Sequence, residues 1–128
     1  MSLRAVRRVV IGSVLAAAVV LSGCGGGDPP PDLSARALEG RSLALSSGCS
    51  ACHGKNGEGG VGPPWRGLAG SEVRFTDSTT AVADSTYLIE SIQDPSARLR
   101  EGYTVMMPRN GLTVEEIKKV VAYIQELE

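Results

Sequence analysis

The sequence predicts an all-α domain of about four helices with a short hairpin or loop insertion. Three observations carry this. The C-terminal segment has a helix-start signal followed by a helical apolar repeat. Two earlier segments have capping residues and the same type of spacing. Only one short stretch alternates as a strand would.

Taken in chain order, Leu33 to Ser47 reads as the first helix, with Asp32 or Ser34 as N-cap. Ala37, Leu38, Ala44 and Leu45 fall on one stripe, interrupted by Arg41. Gly40 lies mid-helix, where glycine costs about 1 kcal/mol against alanine. Close approach of another helix and a tolerated surface glycine explain it equally well. Residues 54 to 64 form a glycine-rich loop ending in Pro63-Pro64. It lacks the G-x-x-x-x-G-K-[ST] pattern and a preceding strand, so it is not a phosphate cradle. Glu72 to Ala83 alternates weakly, with Val73 and Phe75 on one side, and reads as a hairpin turning near Asp77-Ser78. Asp84 caps a helix from Ser85 to Gln93, whose apolar residues are Leu88, Ile89 and Ile92; Pro95 limits it. Thr113-Val114-Glu115-Glu116 is a capping box. Val114, Ile117, Val120, Val121, Ile124 and Leu127 then make one apolar face.

The beginning of the chain reads as a targeting segment. Arg4, Arg7 and Arg8 precede an apolar run, Val9 to Leu21, that is short for a membrane span. The run ends in Leu21-Ser22-Gly23-Cys24, which resembles the lipobox of bacterial lipoproteins. That resemblance implies a signal peptide over 1–23 and a lipid-modified Cys24 at the mature N-terminus. Two acyl chains, at about 0.8 kcal/mol per buried methylene, anchor stably where one would not. Residues 24–32, rich in Gly and Pro, read as a tether, and 33–128 as the folded domain. The expected location is outside the cytoplasm, lipid-anchored and facing the periplasm or cell exterior.

Cys49-Ser50-Ala51-Cys52-His53 carries the chemistry. CxxCH is the c-type haem attachment sequence: two thiols form thioethers with one haem, and the adjoining histidine ligates its iron. A closed zinc site needs four ligands, whereas the chain has three cysteines and one histidine, and Cys24 has another fate. A dithiol redox motif would sit beside a βαβ pattern, and none is visible. A covalent haem would also complete a core that is small for protein alone. The apo chain is therefore expected to fold poorly.

With a single histidine, bis-histidine ligation within the chain is excluded. The methionines beyond the signal segment are Met106 and Met107. Thioether sulfur favours ferrous iron and raises the potential. Adjacent residues of an extended segment point opposite ways, so one can bind. Met107, stiffened by Pro108, is the expected ligand. Met106 is the alternative, and Lys55, Lys118 and Lys119 are remote ones. The formal charge is −1. Losing the three signal arginines leaves ten Lys and Arg against 14 Asp and Glu, near −4, so nucleic acid is not an expected partner.

The order of Gly48-Cys49 through Gly54, Gly62-Pro63-Pro64-Trp65-Arg66-Gly67-Leu68-Ala69-Gly70, Asp84 to Leu88, Pro95, Gly102-Tyr103, Met107-Pro108 and Tyr123-Ile124 resembles class I monohaem cytochromes c. More narrowly it resembles the cytochrome c domain of bacterial haem-copper oxidase subunit II, without that subunit's copper domain or membrane hairpin. The resemblance implies the cytochrome c fold around one haem c, with the first and last helices crossing near Gly40 and Tyr123. It implies Cys49, Cys52, His53, Pro63 and Met107 as cofactor-binding residues, His53 and Met107 being on the iron. The Pro63 carbonyl would accept a hydrogen bond from His53. Trp65, Arg66 and Tyr103 are candidate partners for the haem propionates. The expected function is one-electron transfer, not enzyme catalysis, with a terminal oxidase or a quinol-oxidising complex as partner. A haem-based ligand sensor and a dedicated subunit of a larger oxidoreductase are the alternatives.

Overall fold

The computed structural model describes residues 32–128. The signal peptide over 1–23, Cys24 and the tether as far as residue 31 lie outside the described residues. The elements are α1 (Ala35–Ser46), α2 (Ser50–His53), β1 (Glu72–Arg74), β2 (Thr80–Val82), α3 (Ser85–Gln93) and α4 (Val114–Gln125).

Ser34, not Asp32, caps α1, its hydroxyl accepting from the Ala37 amide at 3.2 Å. The buried stripe of this helix also differs from the expected one. Leu33, Ala37, Gly40 and Ala44 face inward, while Leu38 is 51% exposed and Leu45 only half-buried. Small residues line the contact because α4 comes in very close. A Cβ built on Gly40 would lie 1.9 Å from the Lys119 carbonyl oxygen. The crossing thus falls at the Lys119–Val120 peptide, about one turn before Tyr123, and close approach is the reason for the glycine. No other pair of elements packs as extensively as α1 and α4.

The α4 capping box is present in both directions, with the Thr113 amide donating to Glu116 at 2.8 Å. Ile117, Val120, Val121, Tyr123 and Ile124 are buried. Each contributes about 1.5–3 kcal/mol if of ordinary core size. Val114, at the first helical position, is exposed instead of joining the apolar face. Asp84 caps α3 through the Tyr87 amide, 2.9 Å, and α3 packs on α4. The strands pair antiparallel with Val73 opposite Ala81. Asp77 accepts from the Thr79 amide at 2.9 Å and hydroxyl at 2.6 Å, which holds Ser78 at φ 68° in the turn. The hairpin reaches the long segment after α3: Phe75 bridges to Arg100, and the Thr76 amide donates to Leu99.

Candidate haem-binding site

The single-turn helix α2 was not separable in the sequence, because four residues show no periodicity. It places Cys49, its N-cap, one turn from Cys52, so the two half-buried thiols share a face. His53 ends the helix and is 7% exposed. The glycine-rich loop folds back over this end: the Gly59 amide donates to His53 O at 2.8 Å, and the Gly62 amide to Cys52 O at 3.0 Å. These bonds satisfy carbonyls that a helix C-terminus leaves open. The loop then delivers the Pro63 carbonyl to His53 Nδ1 at 2.8 Å.

A carbonyl only accepts, so Nδ1 carries the proton and Nε2 is left with its lone pair. Burial holds the imidazole below its ordinary pKa of 6.5, with the Pro63 bond partly offsetting that. Burial favours the neutral ring and the Pro63 bond places its proton on Nδ1, leaving Nε2 free, the state a metal requires. Burial pushes the Cys49 thiol up, the reverse of the lowered thiol in a dithiol redox motif.

Two adjoining cavities, of about 170 and 560 Å³, open beside this ring. They share His53, Pro63, Val105, Met106 and Met107. The larger also touches Cys49, Cys52 and Leu112. The smaller runs inward to Leu68, Leu88, Ile92 and Ile124. Met107 is half-buried, whereas Met106 is 59% exposed. Asn110 ties the methionine segment to the end of α3: its Nδ2 donates to Ile92 O at 2.7 Å, and its Oδ1 accepts from the Leu112 amide at 3.2 Å.

Sequence reasoning missed Asn110 and Arg100. Arg100 lines the smaller cavity beside Tyr103, and its Nη1 is buried with no hydrogen-bond partner among the described residues. A buried guanidinium nitrogen facing no acceptor suits a carboxylate that arrives with a ligand. Neither role was legible because each depends on which distant strand or helix the loop meets. Arg66 is corrected by the structure: it lines neither cavity, and its Nε donates to Asn56 O at 3.1 Å. Trp65 and Tyr103 do line the smaller cavity. Lys118 and Lys119 are paired with Glu115 and Glu39, at 2.6 and 2.7 Å, and lie outside both cavities, as does Lys55.

Apolar walls, two thiols on one helix face, a neutral imidazole and an orphaned guanidinium fit an iron porphyrin with acidic side chains. The sequence pattern of the Cytochrome c family matches residues 37–128. The chain belongs to the cytochrome c family. No curated protein matches it. As a cytochrome c it is a haem-based electron-transfer protein, with covalent haem c at the CxxCH sequence of Cys49, Cys52 and His53. The four helices and the small hairpin of the described residues are the cytochrome c fold.

Proposed function

We propose that this protein is a membrane-tethered monohaem cytochrome c that passes single electrons between redox complexes. Haem c, when bound, supplies a one-electron ferric–ferrous couple. The observation that carries the reading is His53, buried and neutral with Nε2 free, beside a cavity that it shares with Met107. His53 and Met107 are the two iron ligands in this reading, and Pro63 holds the imidazole tautomer and orientation. Leu68, Leu88, Ile92 and Ile124 exclude water, and Arg100 with Tyr103 takes the propionates.

The tether reading rests on the lipobox-like Leu21 to Cys24 and the Gly/Pro-rich segment after it. A lipid on Cys24 would hold the domain outside the cytoplasm, at the periplasmic or cell surface, within reach of a terminal oxidase or a quinol-oxidising complex. The narrower likeness to the oxidase subunit II domain favours an oxidase as acceptor. Optical spectra of the haem-loaded protein, with and without carbon monoxide, test the site. A low-spin spectrum with the weak far-red band of methionine on ferric iron, and no carbon monoxide shift, is expected. A high-spin, readily shifted spectrum would instead indicate a ligand sensor. Detergent partitioning of wild type and C24A tests the anchor; equal partitioning of the two would refute it.

A further inference from the structure

The His53 ring is held by more than its hydrogen bond. The Trp65 indole stacks on it, with ring centroids 4.7 Å apart and planes 21° from parallel. Gly62 also lies against it. A Cβ built there would sit 2.9 Å from Cε1, 3.1 Å from Nδ1 and 3.2 Å from Nε2. Near-equal distances to three ring atoms put that position over the ring's face and not beyond its edge. Trp65 is itself fixed: it is 6% exposed, meets the Tyr123 ring edge-on at 6.0 Å, and its amide donates to Gly57 O at 2.8 Å.

We infer that Trp65 and Gly62 are positioning residues that set the plane of the His53 imidazole, Trp65 by offering a flat stacking face and Gly62 by leaving room for the ring. The inference rests on the reading of His53 as iron ligand. The bond to Pro63 O fixes which nitrogen carries the proton, but a single hydrogen bond is a hinge about which a ring can still tilt. A flat indole opposes that tilt, because offset stacking of aromatic faces weakens as the planes open. An aliphatic side chain of core size fills the space without offering a plane.

The test compares W65F, W65L and G62A, each as haem-loaded protein. The readout is the set of hyperfine-shifted haem-methyl proton resonances of the ferric form, whose order and spread follow the orientation of the axial imidazole. W65F keeps a ring and is expected to retain the wild-type order. W65L is expected to change it, and so is G62A, whose new methyl group pushes on the ring. A W65L protein that loads haem and keeps the wild-type pattern would show Trp65 to be core filling only, and would overturn its positioning role. Where W65L fails to load, G62A decides, since a wild-type pattern there means the ring is not held at its face. A ferric wild-type spectrum without the hyperfine-shifted ring-proton resonances of a ligand imidazole would sink the ligand reading of His53 and this inference with it. A low-spin wild type with unmoved variants would sink the inference alone.

Discussion

Met106 and Met107 are chemically identical neighbours that differ in what surrounds them. Met106 is 59% exposed, and Met107 is half-buried in a segment pinned by Asn110. M107A is therefore expected to lose the far-red band and bind carbon monoxide, whereas M106A keeps the wild-type spectrum; the reverse outcome would exchange their roles. Arg100 offers a second contrast at this scale. Its buried Nη1 has no partner among the described residues, so a propionate there makes a charge-assisted bond. Removing the guanidinium leaves that negative charge unbalanced and favours ferric iron. R100Q is expected to lower the midpoint potential by about 1 kcal/mol, roughly 40 mV for a one-electron couple. An unchanged potential in redox titration would place the propionates elsewhere. His53 and its cysteines were legible because their chemistry is written in five consecutive residues. Arg100 was not, since the hairpin brings it to the cavity from outside any motif.

At the scale of elements, Gly40 sets two effects of opposite sign against each other. Alanine in a helix interior gains about 1 kcal/mol over glycine. Yet its Cβ would meet the Lys119 oxygen at 1.9 Å, which backbone cannot absorb without moving the helices apart. Overpacking of this kind costs about 1–3 kcal/mol, so G40A should be net destabilising. Denaturant unfolding of the holoprotein reads this directly, and a variant as stable as wild type would mean the crossing is looser than described. T113A removes one partner of the capping box and should cost about 1 kcal/mol. The same geometry explains what the sequence concealed. α3 and α4 were legible because large apolar residues recur behind a capping side chain. The buried stripe of α1 includes Ala37, Gly40 and Ala44, which hydrophobic periodicity hardly registers, so Leu38 drew attention to the wrong face. The hairpin was visible through its Asp77 turn. The single turn α2 became visible only once folded, through the loop that closes on its carbonyls.

For the whole molecule, acid and cofactor are the two levers. Glu39, Glu58, Asp77, Asp94, Glu115, Glu116 and Glu126 all sit below their ordinary pKa, held there by hydrogen bonds from side-chain or backbone donors, with nearby cations adding to some. A depressed carboxylate pKa stabilises the fold above the unfolded value, 4.5 for Glu and 3.8 for Asp, and that stability is lost as pH falls through the folded values. Holoprotein melting temperature should therefore be insensitive to carboxylates from neutral pH down to about 4.5 and fall below it. A decline already complete at pH 5 would point to another group. The cofactor matters more, because the cavities lie where the core would otherwise be continuous. Leu68, Leu88, Ile92 and Ile124 belong to that core and also line the smaller cavity. Without haem their inner surfaces face water or an empty space, and either costs apolar burial and contact. The α1–α4 contact at Gly40 and the capping hydrogen bonds of Ser34, Asp84 and Thr113 do not use those surfaces, so helical content should partly survive. The C49A/C52A double variant, unable to attach haem, is expected to show reduced far-UV ellipticity, a broad thermal transition and binding of a hydrophobic dye, the marks of a compact state without fixed packing. A sharp two-state transition near that of the holoprotein would mean that the polypeptide core suffices, and that haem enters a site already built.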